Sequence, residues 1–217
     1  MGFGVMFLGS VFLLNANIFG IDVIVDFIGF FIIFKGLSIA NRYTDKFKTV
    51  RKVSFAAIFV SSSHFVFSLI NAFTENIIPE LAVQIAYWAY TMFMFTFYIS
   101  FLQSIVGITR EVDLPKYGLR AYTGMVFAVI LFLGGRFLEK AGGTLTSDPG
   151  LNNVLGIAGY VIENIFVIYI LVLVFNCYMF ICLEGDEDMP DNRKNKKIPS
   201  PIDVYERGEK KYGKNKR

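Results

Sequence analysis

The sequence predicts an all-α integral membrane protein: a six-helix transmembrane bundle followed by a disordered, charged C-terminal tail. Three observations predict it. The 217 residues are 54% hydrophobic, with mean hydropathy +0.52. Only 18% are charged, against about 25% in a soluble domain. The charges also cluster, which leaves apolar windows of the ~20 residues that cross a ~30 Å hydrocarbon core as a helix.

The first two helices are expected as a hairpin over 2–19 and 22–40, within a transmembrane domain of residues 1–183. Asn15-Ala16-Asn17 is the natural turn, because Asn tolerates turn and left-handed backbone. A single crossing with an interfacial piece is the alternative. Met1 to Met6 lack the basic region and cleavage site of a signal peptide, so this stretch is expected to begin a membrane helix. Helix three is expected over 52–73, after the basic residues Arg42, Lys46, Lys48, Arg51 and Lys52. Helix four, over 82–107, carries Tyr87, Trp88 and Tyr90 near its start, where an interfacial aromatic belt is expected. Pro115 marks the next turn, and helix five follows over 118–138. The turn chemistry of Gly142-Gly143 and Asp148-Pro149-Gly150 precedes helix six, drawn from 155–183.

Charge asymmetry sets the orientation. The connections after helices two and four and the tail hold eighteen Lys and Arg; the opposite connections hold two, Arg136 and Lys140. Cationic flanks stay cytoplasmic, so both termini are expected there, in a multi-pass protein of a cell membrane. Residues 184–217 are polar throughout and cannot bury a core, so they are expected to be disordered.

Polar residues inside apolar helices are the candidate functional groups. Ala57, Ser61, His64, Ser68, Asn71 and Glu75 share one face of helix three at 3.6 residues per turn. Such a stripe belongs against other helices, where small residues allow close approach and polar ones bond across. The plain reading is packing; the sharper one makes His64, the sole histidine, a proton-titrating or ligand-contacting group in a cavity with Ser61, Ser68, Asn71 and Glu163. Glu163 shares a face with Gly156 and Gly159. It needs a partner if residues 151–171 span the membrane, and none if 163–183 do. Asp22 and Asp26, four apart, are expected on one face at the front of helix two. There they cap the helix and meet its positive dipole end, or form an outer-face cation site with oxygen ligands. Ala121, Gly124, Ala128 and Gly135 form a packing seam on helix five. Cys177 and Cys182 are five apart, on different sides of a helix, so neither a disulfide nor a metal pair is indicated.

The Gly4–Ala40 hairpin, with Asp26-Phe27-Ile28-Gly29-Phe30 leading to Lys35-Gly36-Leu37, resembles one found in small bacterial multi-pass membrane proteins with no assigned activity. That resemblance covers about one fifth of the chain and implies a bacterial plasma membrane and nothing catalytic.

Motifs of soluble enzymes are absent: no phosphate-cradling Gly-rich loop, no His-Glu-x-x-His, no Gly-x-Ser-x-Gly. The expected function is that of a non-enzymatic membrane partner or accessory subunit. The alternative is a small permease or channel with a polar path around His64 and Glu163. The expected partners are the lipid bilayer, anionic lipid under the basic tail, and a membrane protein or a second copy. No metal, cofactor or nucleic acid is indicated.

Overall fold

The computed structural model describes residues 2–14, 17–18, 21–22, 26–73, 79–145 and 149–181. Among the described residues the regular structure is helical apart from a two-residue antiparallel ladder, with Asn17 opposite Asp22 and Ile18 opposite Ile21. Helix α1 spans Phe3–Val11 and α2 Asp26–Ala40. A 3₁₀ turn at Asp45–Phe47 leads into α3, Lys48–Phe73. Helix α4 spans Glu80–Glu111 and α5 Pro115–Phe127. A π-helical turn, Ala128–Leu133, runs straight into α6, Gly134–Leu145, and α7 spans Pro149–Ile181. Among the described residues four stretches are long and apolar enough to cross a membrane: Asp45–Ile70, Leu81–Glu111, Pro115–Lys140 and Gly150–Ile181.

The boundaries follow local chemistry. Thr44 Oγ1 accepts from the Lys46 N–H at 3.3 Å and caps the 3₁₀ turn. Asp113 adopts φ 54° to turn the chain between α4 and α5, a left-handed conformation that Asp tolerates. Pro115 and Pro149 each open a helix, where a missing N–H costs nothing.

The first hairpin differs from expectation. The helix expected over 2–19 is α1, nine residues and about 14 Å long; the one expected over 22–40 is α2, fifteen residues and about 22 Å. Backbone pairing at 17–18 and 21–22 takes up residues that a longer helix would need. Asp22 therefore lies in the ladder and Asp26 in the helix, so the two do not share a helical face. Helices α3 and α7 begin before their expected starts, and α4 and the stretch 115–145 run past both expected ends. The expected tail, with Cys182, falls outside the described residues.

Helices α1 to α5 each pack on the next, α5 runs on through the π turn into α6, α6 packs on α7, and α7 returns to α1. The centre is aromatic. Phe30 of α2 meets Phe97 of α4 at 4.9 Å, and Tyr98 of α4 meets Phe132 at 5.2 Å and Phe166 of α7 at 5.0 Å, all edge-on. Such edge-to-face pairs suit ring quadrupoles. Two interfaces are sealed by glycine. A methyl on Gly9 would lie 2.8 Å from the Gly29 carbonyl oxygen, joining α1 to α2. One on Gly135 would lie 2.7 Å from the Gly159 carbonyl oxygen, joining α6 to α7. Backbones this close need residues without side chains.

Candidate functional site

A layer of polar side chains crosses the interior, supplied by α2, α3, α4, α6 and α7. Its anchor is Arg136, placed by the π turn. Tyr117, Ala121, Gly124 and Ala128 form one buried row, which an unbroken α-helix would continue through residues 131 and 135. The wider turn inserts an extra residue, so Phe132 and then Arg136 carry the row on, both buried. Arg136 is 8% exposed and Glu163 3%. Arg136 Nη2 lies 2.6 Å from Glu163 Oε1, and its Nη1 lies 3.6 Å from Glu139 Oε2. The close approach of α6 and α7 at their glycines brings this pair together.

Helix α4 supplies hydroxyls along one face. The Tyr87 hydroxyl donates to Glu139 Oε2 at 2.7 Å, and its ring lies beneath the Arg136 guanidinium and the Lys140 ammonium. One turn on, the Tyr90 hydroxyl donates to Asp26 Oδ2. His64 of α3 stacks on the Tyr90 ring, centroids 4.2 Å apart and planes 12° from parallel. Thr91 and Tyr98 continue the face, both fully buried or nearly so.

No family model, curated protein or solved structure matches the chain. The site therefore rests on its geometry.

The expected residues divide. Asp26 and His64 meet on Tyr90, and Glu163 takes a partner that the sequence did not suggest. His64 stacks on Tyr90, and Glu163 forms a salt bridge with Arg136. Ser61 is buried, while Ser68 is half-buried. The side chains of Asn71 and Asp22 lie outside the described ones. Among the described residues no three His, Cys, Asp or Glu side chains gather to hold a metal ion.

Arg136, Glu139, Tyr87, Tyr90, Thr91 and Tyr98 were not expected in the site. Arg136 stood among the outer-side cations, and Tyr87 and Tyr90 in an interfacial belt; all three are buried and bonded inward. The recurrence of hydroxyls at 87, 90, 91 and 98 on one helical face carried the signal.

Proposed function

We propose that the chain is a multi-pass integral membrane protein, non-enzymatic, serving as a partner or accessory subunit with both termini cytoplasmic. Support for the membrane comes from the outer surface of the long helices. Phe55, Phe59, Val66 and Ile70 of α3 and Val154, Val161, Ile168 and Val172 of α7 are exposed, while the charged layer points inward. Apolar side chains outside and paired charges inside suit a lipid solvent. The basic connection at 42–52 gives the cytoplasmic side. Because α1 and α2 run antiparallel, their hairpin returns to the side it started from, which keeps the N-terminus there at any depth of entry. Six crossings complete this reading, in the bacterial plasma membrane implied by the resemblance of the hairpin.

One observation carries the subunit role. Arg136–Glu163, Tyr87–Glu139 and Tyr90–Asp26 bond helix to helix, and groups so engaged fix an architecture. The test is gentle-detergent purification from native membranes. A second membrane protein in fixed stoichiometry, retained in reciprocal purification, supports the role; a lone monomer that moves solute after reconstitution rejects it.

A small permease is the second reading, favoured by the hydroxyl-lined face of α4 that descends from Tyr87 to Tyr98. Reconstituted vesicles test it: solute flux abolished by His64→Ala in a protein that remains folded would displace the subunit role.

A further inference from the structure

Six Lys or Arg lie between residues 27 and 73, against one acidic residue, Asp45. Asp45 pairs with Lys48 at 2.8 Å, and Lys46 pairs with Glu111 of α4 at 3.4 Å. Lys35, Arg51 and Lys52 form no ion pair among the described residues.

Two of these three cations meet on one seam. Phe27 packs on Phe65 at 6.1 Å, Ser54 Oγ donates to the Phe30 carbonyl oxygen at 3.3 Å, and Phe34 packs on Phe55 at 5.5 Å. These contacts fix α2 and α3 in antiparallel register. Lys35 follows Phe34 directly and Arg51 lies one turn before Phe55, so the two cations stand within a turn of the same depth. Lys35 is exposed and Arg51 half-buried. Lys35 also sits five residues, about 8 Å, inside the cytoplasmic end of α2, where a cation beside hydrocarbon calls for a counter-charge. The Phe31 ring, 4.8 Å from its ammonium, offers only a partial one.

Beneath the cations the surface turns aromatic. Phe31, Phe55 and Phe59 are 49%, 50% and 60% exposed, and Phe55 meets Phe59 at 5.2 Å. The outer face of α3 repeats the order: Lys48, Lys52, Phe55 and Phe59 fall at i, i+4, i+7 and i+11, all exposed. Charge first and apolar rings beneath is the order of an anionic amphiphile, phosphate first and acyl chain beneath.

We propose that the α2–α3 seam binds one anionic phospholipid of the cytoplasmic leaflet, its phosphate between Lys35 and Arg51 and an acyl chain along Phe31, Phe55 and Phe59. Arg offers a fork to phosphate oxygens and Lys a point charge. Basic surfaces between membrane helices on the cytoplasmic side hold such headgroups. The site rests on the membrane reading above and on the cytoplasmic placement of residues 42–52; it is independent of the choice between subunit and permease.

The full chain, purified in mild detergent, is titrated with phosphatidylglycerol or with phosphatidylethanolamine of the same acyl chains. Bound lipid is counted by native mass spectrometry, and Tm is followed in parallel. One phosphatidylglycerol should be held roughly tenfold more tightly than phosphatidylethanolamine and should raise Tm. Lys35→Gln should lose that preference and keep a Tm near the wild type in detergent alone. Arg51→Gln gives a second variant should Lys35→Gln not fold. Lys116→Gln, an exposed cation at the start of α5, should bind lipid as the wild type does. Equal retention of the two lipids, an equal loss in Lys116→Gln, or a Tm rise with inorganic phosphate as large as with the lipid would overturn the site. Displacement of the lipid by a poly-glutamate peptide would give the surface to a protein partner instead. A chain recovered in the soluble fraction of lysed cells fails the membrane reading. One that needs detergent for extraction and shows no lipid preference fails the site alone.

Discussion

Arg136 Nη2 stands 2.6 Å from Glu163 Oε1, and both residues are almost wholly buried. The pair ties α6 to α7 at the level where Gly135 and Gly159 bring their backbones together. Breaking one side of a buried ion pair is far more damaging than replacing both. Arg136→Met should therefore cost about 3–5 kcal/mol of stability, read as a lower Tm in detergent. Arg136→Met combined with Glu163→Met should recover most of that loss. A double variant as unstable as the single one would show that the pair does not act as a unit.

The glycines of α7 differ sharply. A methyl on Gly159 would collide with the backbone of α6, whereas one on Gly156 meets nothing within 4 Å. Gly159→Ala should destabilise by about 1–3 kcal/mol through overpacking. Gly156→Ala should stabilise by up to about 1 kcal/mol through helix propensity. Thermal unfolding of the two variants side by side checks the ordering.

His64 serves packing through its ring face. Replacing it with Phe keeps a flat ring over Tyr90 and should hold Tm within a degree or two of the wild type. His64→Ala, which removes the stack, should lose about 0.5–1.5 kcal/mol beyond the lost area. Equal loss in both variants would point instead to a hydrogen bond made by the imidazole.

Orientation is checked in intact cells with an impermeant thiol reagent. Asn17→Cys and Asn76→Cys should label, while Lys46→Cys should label only after the membrane is opened. Labelling in the reverse pattern would invert the cytoplasmic assignment of both termini.

Much of the fold was legible because helix length and apolar periodicity are local properties. The first half of the α3 stripe faces inward, with Ala57 and Ser61 buried and His64 half-buried against Tyr90, while the Asn71 side chain and Glu75 lie outside the described residues. The seam of Ala121, Gly124, Ala128 and Gly135 is also buried. The partner of Glu163 was not legible. Arg136 sits near the end of an apolar run, where a cation ordinarily marks the boundary, and Gly142-Gly143 read as a turn although α6 continues to Leu145. The π turn that aims Arg136 inward has no local sequence signature. Tyr87 and Tyr90 carried a similar ambiguity. An amphipathic ring near a helix start suits an interface, and only the positions of Glu139 and Asp26 on other helices draw these hydroxyls inward.

Helices of nine and fifteen residues are too short to be stable alone, and α1 and α2 lean on each other through bare backbone at Gly9 and Gly29. The two must therefore form together, so a bulky residue at either glycine would cost both helices at once rather than loosen one of them.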